Sequence, residues 1–298
     1  MAHPGFDPTE LSRYGGLTLL ARTLVEGFLT GVHKSPYKGF SVEFAEHRQY
    51  YPGDEIRHID WRVYGKTDRY YIKEYEEETN LKSYLIVDAS GSMGFRGSPD
   101  HPTKFQYAQY VAASLSYLML HQLDAVGLIT HDTKVRSILP PHTTSKQLLQ
   151  IIRTLEQTKT GGETGLAQIW HELASHHLKR RRLVIIISDF FDGIEPIVRA
   201  LRHLRHRRHE VMLFQILAPE EIEFPYSRMT QFRSMETEDK KLVDSRRLRD
   251  EYLKNFEAFR SELRLRAGQM HVDYHMLRTD EPADRALGIY LTRRALQR

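Results

Sequence analysis

The chain holds no cysteine. That excludes disulfides, thiolate metal sites and thiol nucleophiles, and it fits a cytoplasmic setting. Also missing is any apolar run near the roughly 20 residues needed to cross a bilayer, so no direct membrane insertion is expected. Asp7, Glu10, Arg13 and Arg22 interrupt the first thirty residues, and no signal-peptide core is expected there. Charge of one sign is lacking as well: 43 Lys and Arg stand against 39 Asp and Glu, which leaves a net charge of only +4. The basic residues do cluster, at Lys179–Arg182 and again at Arg199, Arg202, Arg205, Arg207 and Arg208 among His203, His206 and His209. Read as a helix, the second cluster has an apolar stripe of Ile197, Val198, Leu201 and Leu204, with no aromatic side chains for base stacking on its basic face. It is read as a solvated face, with an acidic protein partner as its other use; nucleic acid is not expected.

What is present suffices for an ordinary globular protein. With 298 residues, 40% of them hydrophobic, the chain can bury a full core, and its length suggests about two domains. From Leu81 onward, short apolar β-rich runs alternate with helical patterns. Strands are expected at 85–88, 125–130, 137–139, 183–188, 210–217 and 270–277. Helices are expected at 105–121, 146–157, 166–177, the basic segment carrying Ile197 to Arg208, 244–268 and 284–296. Such alternation predicts a mostly parallel sheet with helices on both faces, an α/β fold. Before residue 81 the pattern differs: a helix over 11–28 is followed by tyrosines, charges and Gly/Pro turns in short runs. The expected division is therefore 1–80, a helix plus a smaller β-rich element, and 81–298, the α/β domain. Within the first part, Asp54, Arg57 and Asp60 are spaced to form an ion-paired corner beneath Trp61, in a structural or a partner-docking role.

The chemistry gathers at Tyr84-Leu-Ile-Val-Asp88-Ala-Ser90-Gly-Ser92-Met-Gly94. An apolar run ends in an aspartate followed by serines at alternate positions, so Asp88, Ser90 and Ser92 can converge at the carboxyl end of a strand. One carboxylate and two hydroxyls are hard oxygen donors suited to Mg²⁺ or Mn²⁺. Nearby imitations fail by single residues. The nucleophile elbow Gly-x-Ser-x-Gly has Ser90 at its first glycine. A haloacid-dehalogenase-type Asp-x-Asp also has Ser90, in place of its second acid. Gly65-Lys66-Thr67 lacks the phosphate-loop glycine, which is Asp60. His171-Glu172 lacks a histidine at Ser175, and these histidines are read as a solvated helix face.

The Asp-x-Ser-x-Ser pattern resembles the metal-ion-dependent adhesion site of von Willebrand factor A domains. That resemblance implies a threonine loop and a later aspartate as further ligands, direct or through water. Thr164, in Gly161-Gly-Glu-Thr-Gly165, and Asp189, at the end of Leu183-Val-Ile-Ile-Ile-Ser-Asp189, stand in those places, with Glu163 where many relatives carry the threonine. Asp192 follows either as a supporting group or as a helix start. A second resemblance rests on Phe44-Ala-Glu46, Arg48, Tyr51-Pro-Gly-Asp54, Arg57, Ile59-Asp-Trp61, Lys73-Glu74, Glu77 and Thr279-Asp-Glu-Pro282. Together these are similar to the bacterial family called domain of unknown function 58. It implies a von Willebrand A-like, Rossmann-like domain preceded by a β-rich element, no enzymatic activity, and association with MoxR-type AAA+ ATPases. The expectation is thus a cytoplasmic, non-enzymatic protein-binding module whose metal receives a partner's carboxylate. A Mg²⁺-dependent phosphate-ester hydrolase is the alternative, and a vestigial site on a domain acting through its surfaces is a third reading.

Overall fold

The computed structural model describes residues 8–33, 47–50, 61–73, 82–162, 165–178, 180–236 and 240–296. The chain divides into two compact units, one made of Met1–Thr30 with Leu81–Arg298 and the other of Gly31–Asn80. This differs from a division at residue 80, because helix α1 (Pro8–His33) contributes Leu17, Leu20, Ala21, Leu24 and Val25 to the core of the larger unit. An apolar stripe of this kind needs cover, and α1 finds it in the larger unit.

The smaller unit holds β1 (His47–Gln49), α2 (Trp61–Thr67) and β2 (Tyr71–Lys73), with β1 and β2 paired antiparallel. Tyr64 stacks on Tyr70 at 4.5 Å, and Trp61 lies edge-on to Tyr64 while remaining largely exposed. The corner read from Asp54, Arg57 and Asp60 lies outside the described residues.

In the larger unit, β3 (Lys82–Asp88), α3 (Lys104–His121), β4 (Ala125–His131), β5 (Val135–His142), α4 (Ser145–Gln157), α5 (Leu166–Glu172), β6 (Leu183–Ser188), α6 (Ile194–His206), β7 (Glu210–Leu217) and α7 (Pro219–Glu223) follow in turn. A hairpin of β8 (Met229–Arg233) and β9 (Lys240–Asp244) leads into α8 (Ser245–Gln269), β10 (Asp273–Arg278) and α9 (Arg285–Leu296). The main sheet runs β10-β7-β6-β3-β4-β5, parallel throughout except for β5. Edge strand β5 tolerates Pro140 and Pro141 because a prolyl nitrogen has no hydrogen to give a ladder.

Alternation along β3 explains the two layers. Leu85 and Val87 face a core built with α1, α3, α4 and α9, while Tyr84 and Ile86 face one built with α5, α6 and α8. Both faces are dry, which is why β3, β6 and β7 read as continuous apolar runs. The α6 stripe of Ile197, Val198, Leu201 and Leu204 is buried as its periodicity requires. The chain leaves β3 toward β4 and β5, then returns to β6 on the other side. A crevice therefore opens between the carboxyl ends of β3 and β6, the place where doubly wound sheets hold ligands. The fold is of the mostly parallel α/β class, with helices on both faces of the sheet.

Candidate functional site

Asp88 ends β3 at that crevice and is fully buried. Its Oδ1 accepts the Ser90 N–H at 2.8 Å, and its Oδ2 accepts the Ser188 hydroxyl at 2.6 Å. Burial, followed by the nearby Asp189 carboxylate, pushes the Asp88 carboxyl up to about 7. Ser90 and Ser92 follow in a loop that tightens into one short turn over Gly91–Gly94, and their hydroxyls stand 3.1 Å apart. Neighbouring oxygens around an octahedral Mg²⁺ at 2.0–2.1 Å are about 3 Å apart, so this pair has ligand spacing. Among the described residues Asp88 has hydrogen-bond donors but no cationic partner. A buried carboxylate with two converging hydroxyls at its side therefore fits a hard cation.

The glycine segment ahead of Thr164 is tied to this loop by two backbone bonds, Gly161 N–H to the Ala89 carbonyl and Gly91 N–H to the Gly162 carbonyl, both 3.0 Å. Arg136 secures the same segment: it pairs with Asp132 and donates to the carbonyls of Lys159 at 2.8 Å and Gly161 at 3.1 Å. Gly162 has φ +79, a conformation a side chain would strain. Thr164 itself lies outside the described residues, as does Glu163.

Asp189 follows β6, whose exit is sharply turned by Phe190 at φ +58. This is a left-handed conformation that costs a bulky residue energy. The Asp189 carboxylate is buried and committed: Oδ1 accepts the Phe191 N–H at 3.2 Å, and Oδ2 takes the Lys104 ammonium at 2.7 Å. Asp192 is half-buried and accepts the N–H of Gly193 just before α6, which agrees with the helix-start reading.

Lys104, the first residue of α3, was not legible as a site residue. Its helix starts with a capping box between Thr103 and Gln106, and a cation in a first turn opposes the helix dipole. Two carboxylates hold it there, Asp189 and Glu221, each at 2.7 Å, and only 1% of its side chain is exposed. Burial works against its charge, but Asp189 and Glu221 outweigh that and keep it above the usual lysine range. Glu221 in α7 is fixed in turn by the Ala218 N–H at 2.8 Å. Ser92, Phe95, Lys104, Phe191, Glu221, Ser234, Met235 and Glu236 line a cleft of about 230 Å³ above these groups. The serine loop thus meets solvent beside Ser92 and beneath the β8–β9 hairpin. On the opposite face, His171 is not simply solvated: its Nδ1 lies 3.0 Å from that of His203, although His176 and His177 are exposed.

Comparison with known proteins bears on this geometry. The profile described as "Protein of unknown function DUF58" matches residues 46–262. The chain belongs to the DUF58 family. The uncharacterized proteins Rv1480 of Mycobacterium tuberculosis and Mb1516 of Mycobacterium bovis are each 28% identical to it over 222 residues, 74% of this chain and 68% of theirs. Among solved structures, the DUF58 chain is similar to the conserved hypothetical protein BatB of Bacteroides thetaiotaomicron, at 13% identity and a TM-score of 0.48 over 72% of this chain and 98% of that one. It is also similar to the SpRpn10 VWA domain, at 9% identity and a TM-score of 0.40 over 70% of this chain and 93% of that one. No helix among the described residues is long and apolar enough to cross a membrane.

Proposed function

We propose that this protein is a cytoplasmic, non-enzymatic protein-binding module whose crevice holds a Mg²⁺-type cation, Mg²⁺ or Mn²⁺, and receives an acidic side chain of a protein partner. The observation that carries the reading is the buried Asp88 at the β3/β6 switch point, followed by a serine loop whose Ser90 and Ser92 hydroxyls stand 3.1 Å apart. Asp88, Ser90 and Ser92 would hold the cation directly, with Thr164 added to the set by the family resemblance. Asp189, with Lys104 on its Oδ2, would act through water. When bound, the cation supplies a charge-dense receptor for an incoming carboxylate oxygen. Ser92 marks the open side, Lys104 and Glu221 stiffen the wall, and the hydrophobic layers beneath keep water from the far side. The family resemblance adds a MoxR-type AAA+ ATPase as the machine with which the module works.

The test is calorimetric titration of Mg²⁺ and Mn²⁺ into the full chain and into an Asp88→Ala, Ser90→Ala double variant with an unchanged circular dichroism spectrum. Binding to the parent that vanishes in the variant is the expected result. A parent that binds neither ion sinks the metal reading, and metal-dependent turnover of a simple phosphate ester would replace it with the hydrolase.

A further inference from the structure

A second cavity, of about 280 Å³, lies at the edge of the main sheet and shares no lining residue with the cleft above the crevice. Strand β10 is that edge, paired only with β7, and residues of α8, β10 and α9 line the cavity together. Three of them are arginines: Arg260 and Arg264 lie one turn apart on a single face of α8, and Arg285 is the first residue of α9. Like charges four residues apart repel, and a cation in a first turn stands against the helix dipole, so this gathering is unfavourable unless an anion joins it. The protein's own acids supply only part of that anion. Glu257 is the one acidic residue of the lining, and both its oxygens are engaged, with Arg260 at 3.0 Å and with the Ser261 hydroxyl at 3.1 Å. Arg285 pairs with Glu281, which lies outside the lining. Arg260 Nε is buried and meets no acceptor among the described residues. Arg264 has no hydrogen bond or ion pair among them either.

We propose that this cavity binds a phosphate monoester of a small organic molecule. Three guanidiniums against one carboxylate leave two positive charges in the lining, and a phosphomonoester carries about −1.5 to −2 near pH 7. Guanidinium forks take phosphate oxygens two at a time, which fixes the orientation of the group as well as its charge. At roughly 30 Å³ per water the cavity has the room of about nine waters, and a bare phosphate fills only part of it. Met276 and Ile289 give the remaining space an apolar wall, and the organic part of the ester lies there.

The experiment is calorimetric titration of phenyl phosphate and of inorganic phosphate into the full chain, at about 0.15 M salt to screen diffuse attraction and in chelator to keep the metal crevice out of the result. Phenyl phosphate should bind more tightly than inorganic phosphate. Arg264→Gln should weaken both about ten-fold, the loss of one charge-assisted contact. Met276→Ala should weaken phenyl phosphate and leave inorganic phosphate unchanged. Arg202→Gln, on the exposed face of α6, should alter neither. A parent that binds neither probe, or an Arg264→Gln variant that binds as well as the parent, overturns the site. An equal loss in Arg202→Gln overturns it too, by showing that general positive charge attracts the probes. Citrate binding as tightly as phenyl phosphate overturns the phosphate assignment, and an unchanged Met276→Ala variant refutes the seat given to the organic part. Arg264 is exposed, and a thermal melt confirms that each variant folds.

Discussion

Replacing Lys104 with methionine isolates the electrostatics beneath the crevice. Methionine keeps the length of the stem and removes the ammonium, leaving Asp189 and Glu221 facing a hole where each had a partner at 2.7 Å. Breaking a buried ion pair from one side costs about 3–5 kcal/mol. Both carboxylates keep a backbone donor, Phe191 N–H and Ala218 N–H respectively, which places the loss toward the low end, about 3 kcal/mol. The protein should still fold, since domains hold roughly 5–15 kcal/mol in reserve. Adding Glu221→Gln removes one of the two stranded charges, and the double variant should regain about 1–2 kcal/mol over the single one. Urea unfolding at pH 7.5 in chelator, followed by far-ultraviolet circular dichroism, measures both values, with the slope against urea unchanged. A single-variant loss below about 1 kcal/mol, or a double variant no better than the single, would refute the claim that the ammonium compensates these carboxylates.

Two further outcomes can be checked independently. Burial lowers the His131 imidazole from 6.5 to about 4, so the folded state favours the neutral ring; its contribution to stability is full above pH 6.5 and falls as pH drops toward 4, by about 3 kcal/mol in all, while the raised Asp88 carboxyl works in the opposite sense, so the His131 part is read as the difference in slope between the parent and His131→Asn in melts across that window. Gly91→Ala places a methyl against the Met235 carbonyl and should cost about 1–3 kcal/mol while loosening the hairpin. Faster amide exchange at Met229–Arg233 reports that loosening, and unchanged exchange would show that the contact is not confining.

Much of this architecture is written locally. The runs at Leu85–Val87, Leu183–Ile187 and Val211–Leu217 are apolar because both faces of each strand are covered, and that is visible without any partner. The serine loop was equally legible, since alternate positions on one short turn decide where its hydroxyls go. Lys104 and Glu221 were not, because a lysine and a glutamate read as solvated until a fold brings them together from 117 residues apart. Strand β5 runs three residues further at its C-terminal end than expected, because its alternating half-exposed side chains and two prolines belong to an edge. The β8–β9 hairpin was missed for a similar reason: its exposed Met229 and Leu242 sit among charges and carry no signal of a core. The last turn of the helix after Leu166 is a wider π turn over Leu173–His177, which sets its final histidines apart from His171.

Helix α1 carries a consequence for how the polypeptide is made. Phe28 packs beside Gly288 of α9, so an early helix of the chain rests on the last one. At about 5–20 residues per second on a ribosome, some 15 to 50 seconds separate their synthesis. Throughout that interval the leucines of α1 have no final seat, and the newborn chain carries an oily strip that a chaperone, or a neighbouring nascent chain, can find first. A fragment that starts at residue 81 would carry the mirror image of that problem, a folded sheet with a permanently bare groove where α1 belongs.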